Sequence, residues 1–231
     1  MKKIRFVTNL NAHKGAGQPI PAKKYLPEWF KNAESFYTTA ETGDTPRAGL
    51  KECKPYMDMM ITGYYLVFPC DVHVKRTEDG GLDITWESEK VGQIIDERPK
   101  EMGATMPRPY GFAPNHLVFS GMWGWKTPKG WSTIVTHPMN QVELPFYTVS
   151  AFMDTDKFWG AGNIPFFIRE DWEGTIKEGT PFAHIIPVKR EPWIMVENDQ
   201  GLVDSLEQHA KIVRDPDRMY KKTMWSRKDY K

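Results

Sequence analysis

After residue 116, apolar and polar residues alternate in short runs, and glycines and prolines interrupt these runs at close intervals. Alternation with a period of two is typical of half-buried strands, and Gly and Pro mark the turns between them. We therefore predict a mainly β fold, either an antiparallel β-sandwich or a jelly-roll-like barrel. The predicted strands lie at about 117–123, 131–137, 145–152, 164–169, 173–177, 181–188 and 193–196.

The first half of the chain carries fewer strand signals. Residues 4–8 alternate as a first strand, and residues 9–24 hold Gly and Pro in the manner of an extended arm. Residues 64–88 predict a β-hairpin around a charged turn that ends in two glycines. Residues 89–114 contain four prolines and predict a long loop, which is uncommon inside a compact domain and is often functional.

Three segments predict helices. Pro27 and Pro55 suit the first turns of short helices at 25–32 and 53–63, since Pro lacks the amide proton that is unpaired there anyway. Residues 201–213 predict an amphipathic helix that lies on the sheets or on a partner, with a stripe that we expect to be buried. The stripe consists of Leu202, Leu206, Ala210 and Val213.

The chain has 231 residues, with 31 Lys and Arg against 30 Asp and Glu. This length fits a single β domain over residues 1–200 and a helical appendage over residues 201–231 that packs on it. A nearly neutral chain has no global field that would attract nucleic acid or an anionic membrane, so neither partner is indicated, although local patches stay open. The basic residues after residue 220 are interpreted as a solvated tail.

Cysteine usage and hydropathy point to a reducing compartment. Cys53 and Cys70 provide no disulfide framework and are expected to be small buried hydrophobes. No run approaches the roughly 18 apolar residues that span a bilayer. The short apolar run after the first basic residues ends at once in polar residues, so it is not a signal peptide. We expect a cytoplasmic protein.

Histidines and carboxylates near strand ends are candidate metal ligands. Asp71 and His73 project from one face of a strand, because side chains alternate with a period of two. His116, His137 and His184 lie on or beside other strands. Convergence of such groups would make a cupin-like site for a divalent metal. The expected His-x-His with a downstream Glu is missing, so hydrogen-bonded edge residues are the alternative.

A second set of residues could bind an organic ligand. Trp125 and Trp131, with basic residues between them, could form a platform for a base or a sugar, or could pack in the core. We expect His137 to lie in a concavity beside them, covered by the long loop. Turn chemistry is the alternative for the polar members. The full set is His116, Trp125, Trp131, His137, Asn140 and Asp154.

Several ordered sequence blocks lie within roughly residues 25–193. They include Leu26-Pro-Glu-Trp-Phe-Lys31, Trp125-Lys-Thr-Pro-Lys-Gly-Trp-Ser132, His137-Pro-Met-Asn140, Gly179-Thr-Pro-Phe-Ala183 and Pro187-Val-Lys-Arg190. Together these blocks resemble an uncharacterised family of tailed phages of marine bacteria, which has bacterial relatives. The resemblance implies a phage or phage-derived source, in the host cytoplasm or the virion, and no activity.

A shorter resemblance concerns the segment from Gly179 to Pro187, which is similar to a Gly-x-x-hydrophobic-Ala-Gln strand of the trimeric dUTPase and dCTP-deaminase jelly roll. His184 stands in the place of the Gln, and neither the uridine-reading hairpin nor the phosphate-binding Ser has a match. The resemblance implies a β-sandwich and nothing about nucleotides.

No nucleophile elbow and no glycine-rich phosphate loop is present, so catalytic residues stay unassigned. Three functions remain open. The first is a non-enzymatic β-sandwich protein for assembly or ligand binding. The second is a small metal-dependent enzyme, and the third is a nucleotide-pocket protein distantly like dUTPase. For the partner, two alternatives stay open: a second copy of this chain in a homo-oligomer, or a phage protein.

Overall fold

The computed structural model describes residues 2–8, 15–41, 43, 45–159, 162–197, 201–214 and 219–231. Strands account for 31% of these described residues and helices for 22%, so the predicted mainly β class is confirmed. Every strand pair within these ranges is antiparallel. No helix within them is long and apolar enough to cross a bilayer.

In chain order, the strands are β1 (Arg5–Val7), β2 (Ile20–Pro21), β3 (Phe36–Tyr37), β4 (Arg47–Ala48), β5 (Tyr64–Val67), β6 (Val72–Arg76), β7 (Leu82–Trp86), β8 (Ile95–Glu97), β9 (Leu117–Ser120), β10 (Gly124–Lys126), β11 (Trp131–Thr136), β12 (Phe146–Thr148), β13 (Ala151–Met153), β14 (Asn163–Ile168), β15 (Gly174–Ile176) and β16 (Pro181–Lys189). The α-helices are α1 (Glu28–Asn32), α2 (Lys54–Ile61), α3 (Ser88–Val91), α4 (Lys100–Thr105) and α5 (Gly201–Arg214). Short turns of other helical types lie at Ala22–Lys24, Leu50–Glu52 and Tyr220–Met224.

Two sheets dominate the structure. The larger has the order β13-β11-β16-β5-β2, and the smaller has the order β12-β14-β9-β8. A three-stranded sheet, β15-β6-β7, and the pairs β1-β10 and β3-β4 complete the strands of the described ranges. Residues 64–88 therefore do not form one hairpin: β5 joins the larger sheet, and the hairpin is β6-β7.

Phenylalanines from both large sheets meet in the core. The ring of Phe182 on β16 lies 4.4 Å from that of Phe119 on β9 and 5.3 Å from that of Phe166 on β14, measured between centroids. A register shift between Pro181 and Ala183 marks a bulge at Phe182, which re-aims a side chain locally. Burial of each ring contributes about 1.5–3 kcal/mol, so these contacts hold the two sheets face to face.

A tight corner joins α2 to the larger sheet. The helix ends at Ile61, as predicted from Gly63, which adopts a φ of 78°. A Cβ atom at Gly63 would clash with the carbonyl oxygen of Ile185 on β16, so the close approach of the two backbones requires glycine here. The corner thereby fixes where β5 enters the sheet.

Two further expectations about elements are wrong, and one about cysteine burial is only partly right. The segment 89–114 is not a loop, because it contains α3, β8 and α4, and β8 pairs with β9 at the edge of the smaller sheet. The segment 193–196 is not a strand, and its side chains are 77–91% exposed. Cys70 is buried as predicted, whereas Cys53 is exposed, and both are free thiols.

The helix α5 forms where its periodicity predicts it, but its apolar stripe is not buried. Leu202, Leu206 and Val213 are 59–63% exposed. By contrast, the segment after Trp225 packs on the body through Asp58 and Tyr64. The division of the chain at residue 200 stays a prediction.

Candidate functional site

A cleft of about 470 Å³ lies where β1, the turn between β10 and β11, and the C-terminal segment meet. We call it the basic cleft, because five of its lining side chains are basic and one is acidic. These are Lys2, Lys3, Arg5, Lys228 and Lys231, with Asp229 as the acidic residue.

The first strand directs its charges toward the cleft. Arg5 pairs with Lys126 across β1 and β10, and the neighbouring Phe6 packs its ring 5.2 Å from Tyr64. Phe6 is half-buried, and because side chains alternate along a strand, Arg5 faces the opposite way and is exposed. Lys3 precedes it by two residues and is exposed as well.

Half-buried aromatic rings form the walls of the cleft. The Lys2 ammonium lies 4.2 Å from the ring centroid of Trp131, a cation–π geometry. Tyr64 and Tyr230 contact each other edge to face, with their centroids 5.9 Å apart. Burial raises the pKa of both tyrosines, so their hydroxyls stay protonated and can donate hydrogen bonds.

Some of the charges in the cleft are already paired. Asp229 accepts from Lys23 at 2.9 Å, a hydrogen bond that lowers the pKa of its carboxyl group, and Lys228 donates to Asp58 at 2.6 Å. Lys3 and Arg5 have no ion pair within the described residues. These two cations are therefore available to an anionic ligand.

A second concavity of about 320 Å³ adjoins the basic cleft, and we call it the side groove. Both concavities are lined by Lys3, Arg5, Thr127 and Pro128, so they are continuous along β1. The residues that line the side groove alone are Lys126, Lys129 and Asp156.

An ion-pair network forms one side of the groove. Arg190 donates to Asp154 at 3.0 Å and to both carboxylate oxygens of Asp156, and Ser132 donates to Asp154 at 2.8 Å. Hydrogen bonds from Arg190 and from the Gly130 amide hold the pKa of Asp156 at about 2. Asp154, which belongs to the predicted ligand-binding set, thus binds Arg190 instead. The network joins the ends of β11 and β16 to the turn after β13.

The predicted metal ligands have separate partners. Asp71 accepts from the Lys177 ammonium and from the Glu178 amide, both at 2.8 Å, and His73 contacts the Thr175 hydroxyl at 2.9 Å. Within the described residues, no three His, Cys, Asp or Glu side chains come together in a way that could hold a metal ion. The cupin-like alternative therefore gains no support from the described residues.

His116 and His137 are not direct neighbours. His137 stacks on Tyr147, with their centroids 5.4 Å apart, and His116 stacks on Phe167 at 5.9 Å. Tyr147 and Phe167 are cross-strand partners on β12 and β14, so two rings stand between the imidazoles. Strand β9, which follows His116, and strand β11, which precedes His137, also belong to different sheets.

The remaining bonds of these residues are structural. His137 bonds the Gln141 carbonyl at 3.0 Å and the Thr148 amide at 3.3 Å, and burial lowers the pKa of its ring. Asn140 adopts a φ of 62° and donates to the Tyr56 carbonyl at 3.3 Å, which matches the turn alternative. Any ligand-binding role of these two residues stays a prediction.

The two tryptophans of the predicted platform have different environments. Trp125 is fully buried and donates from its indole to the Thr133 hydroxyl at 3.0 Å, so it belongs to the core. Trp131 lines the basic cleft, as the ligand-binding alternative expects. Sequence reasoning missed Lys2, Lys3 and Arg5, for which the available signal was the alternation of charged and apolar residues in β1.

Comparisons with known proteins give only a distant likeness. Neither a protein-family model nor a curated protein matches the chain. Two structures of the dUTPase from phage phi11 of S. aureus match with TM-scores of 0.29 and 0.25 and identities of 13% and 12%, each covering 46% of this chain and 97% of theirs. The dUTPase of EIAV matches with a TM-score of 0.27 and 15% identity, covering 55% of this chain and 93% of its own.

At these TM-scores the resemblance to dUTPase is weak and assigns no ligand or activity to this chain. The resemblance to a marine phage family has no counterpart in these matches and stays a prediction. The chemistry of the basic cleft is therefore inferred from its own residues.

Proposed function

We propose that this protein binds a nucleotide, that is, a phosphate-bearing ligand with a planar base, in the basic cleft. The observation that carries the proposal is the half-buried ring of Trp131 next to cations that lack ion pairs, Lys3 and Arg5. Lys and Arg bind phosphate oxygens through charge-assisted hydrogen bonds, and an indole face stacks on any base. The cleft volume also lies in the usual range for small-molecule sites, about 300–1,000 Å³.

The groups in the cleft favour binding over catalysis. Its lining offers ammonium and guanidinium donors, tyrosine hydroxyls and aromatic faces, which recognise and orient a ligand. The carboxylate in the lining, Asp229, is engaged by Lys23 and Lys231 and is thus occupied as an acceptor. A non-enzymatic ligand-binding role follows from this set of groups.

Isothermal titration calorimetry with three probes tests the proposal: a nucleoside triphosphate, the parent nucleoside and inorganic tripolyphosphate. We expect the triphosphate to bind at least about tenfold more tightly than either of the other two, because only it engages both the ring and the cations. Loss of stacking in Trp131→Leu should weaken its binding by about 1–3 kcal/mol. Arg5→Gln should weaken the nucleotide and the tripolyphosphate together.

Matched controls lie outside the cleft. Trp193 is 87% exposed, and Lys75 is an exposed residue of β6, and neither lines the cleft. The variants Trp193→Leu and Lys75→Gln should bind the triphosphate like the parent protein. Equal nucleotide affinity for the parent protein, Trp131→Leu and Arg5→Gln would refute the assignment of this cleft.

A further inference from the structure

The basic cleft opens into the side groove, and this continuity bears on the size of the ligand. The shared residues Lys3 and Arg5 form the junction, so a molecule seated in the cleft can continue past them without leaving the protein surface. A single nucleotide fills one concavity only. The second one, of about 320 Å³, provides room for at least one further unit.

The chemistry of the cleft recurs at the groove. In the cleft, the Lys2 ammonium lies 4.2 Å from the ring centroid of Trp131, and beside the groove the Lys126 ammonium lies 5.3 Å from that of Trp159. Trp159 is 43% exposed, so it is partly accessible to a ligand. An aromatic ring with a nearby cation therefore lines the cleft, and a second such pair lies beside the groove. A nucleotide unit requires these two groups.

The cations are distributed along the path rather than gathered at one point. They lie at residues 2–5, directly before and at the start of β1, and at residues 126–129, where β10 ends and the turn to β11 follows. Within the described residues, none of them forms an ion pair. These cations are Lys2, Lys3, Arg5, Lys126 and Lys129. Such a spread suits the backbone of a polymer, whereas the phosphates of one nucleotide are confined to a single cluster.

The acidic residue of the groove does not oppose this distribution. Asp156 is bonded by Arg190 and by the Gly130 amide, so its charge is compensated within the protein. The same bonds fix the wall of the groove next to Lys129. The groove is therefore a preformed concavity with net positive lining.

From these observations we infer that the ligand of the basic cleft is a single-stranded nucleic acid that runs from the cleft into the side groove. The inference rests on the proposed nucleotide-binding function and specifies its substrate class. Single-strand binding sites combine a positive groove that follows the backbone with aromatic rings that stack on the bases. A duplex keeps its bases stacked on each other and offers no free base face to Trp131 or Trp159.

Fluorescence anisotropy with labelled oligonucleotides tests the inference on the full chain. Single strands of four, eight and twelve nucleotides are titrated, together with a labelled mononucleotide and a duplex of the eight-nucleotide sequence. We expect the octamer to bind at least about tenfold more tightly than the mononucleotide and the duplex. Contact with three to five phosphates predicts a slope of about −2 to −3.5 in a plot of log K against log salt.

Variants of the side groove separate it from the cleft. Lys129→Gln and Trp159→Leu should lower the affinity for the octamer by a larger factor than the affinity for the mononucleotide. Lys75→Gln on β6 serves as the charge control, and thermal melting of each variant checks that the fold is retained. If the groove variants lost the same factor of affinity for the octamer and for the mononucleotide, the proposed path of the strand through the side groove would be wrong.

The outcomes distinguish the two proposals. If the mononucleotide binds and the octamer binds no better, the polymer inference is overturned and the proposed function stands. If neither binds, both fail. If poly-glutamate displaces the octamer as effectively as unlabelled octamer does, the site recognises charge alone, and the inference of a nucleic acid is wrong.

Discussion

A buried histidine shows how the fold decides the role of a residue. His184 is fully buried on β16, its ring lies 4.6 Å from that of Tyr65, and its Nε2 donates to the Thr62 carbonyl. Burial lowers the pKa of the ring to about 4, so the neutral form is the one that the core contains. Its hydrogen bond to Thr62 stabilises the corner between α2 and β5, and the buried ring is not available as a metal ligand.

This burial predicts a loss of stability in acid. The unfolded ring titrates near its ordinary pKa of 6.5 and the folded ring near 4, so the unfolded state binds more protons between these values. The free energy of unfolding should therefore fall as the pH drops from 6.5 to 4, by up to about 3 kcal/mol at about 1.4 kcal/mol per pKa unit. Urea unfolding at pH 7 and at pH 4.5 measures the loss.

The variant His184→Gln should lose less stability over this interval than the parent protein, although it starts from a lower value. His73→Gln replaces an exposed histidine on β6 and should keep the full acid loss. His116 and His137 also have lowered pKa values and contribute in the same direction, so the comparison concerns the difference between variants. An identical acid loss in both variants would rule out His184 as its source.

The fate of single side chains was only partly predictable from the sequence. Trp125 and Trp131 are six positions apart in one aromatic block, yet one is core and the other lines the cleft. Which face of a strand is covered depends on the partner sheet, and that information is not local. For His137 and Asn140 the sequence left a site and a turn open, and the observed bonds match the turn.

Elements were predictable where their signal is local. The alternation after residue 116 located β9, β11, β14 and β16, because each strand alternates or is apolar throughout. The alternation did not reveal β8, because a strand of three residues is too short to show a clear period of two. The spacing of its apolar residues predicted the helix α5. That spacing indicates an apolar stripe but does not indicate which surface, if any, covers the stripe.

The exposure of α5 leads to a prediction at the scale of elements. Leu206 is 59% exposed, whereas Leu117 on β9 is 2% exposed. Leu206→Ala should change the free energy of unfolding by less than about 0.5 kcal/mol, as exposed substitutions usually do. Leu117→Ala should lower it by about 2–5 kcal/mol, because it leaves a cavity in the core.

Urea unfolding of both variants gives this comparison with the same chemical change at the two sites. A substantial loss for Leu206→Ala at a concentration-independent midpoint would mean that the stripe packs on its own chain after all. A loss that grows with protein concentration would instead reveal a second copy on the stripe.

At the scale of the whole molecule, the cleft depends on residues from both ends of the sequence. The formal net charge of +1 gave no sign of an anionic partner, because the net charge of a chain does not show where its charged residues lie in the fold. The fold brings residues 2–5 next to residues 228–231 and so concentrates positive charge in one concavity. This juxtaposition is a property of tertiary structure, and no local pattern could have shown it.

Asp58 on α2 holds the C-terminal side of the cleft. Its carboxylate accepts from the Trp225 indole at 2.7 Å and from the Lys228 ammonium at 2.6 Å, and the side chain is largely buried. Asp58→Asn keeps an acceptor for Trp225 but removes the charge that pairs with Lys228. Hydrogen bonds to charged groups contribute about 1.5–3 kcal/mol, so the segment should detach more often in the variant.

Limited digestion with trypsin measures this detachment, because Arg227 and Lys228 are cleavage sites within the docked segment. We expect cleavage after these residues to be several times faster in Asp58→Asn than in the parent protein. Nucleotide affinity should fall in parallel, since the cleft loses Lys228 and Tyr230 from its wall. Asp83→Asn, an exposed carboxylate change on β7, should alter neither rate nor affinity. Equal cleavage rates in all three proteins would show that Asp58 does not hold the C-terminal segment. The contacts with Tyr64 and Lys23 would then account for its docking.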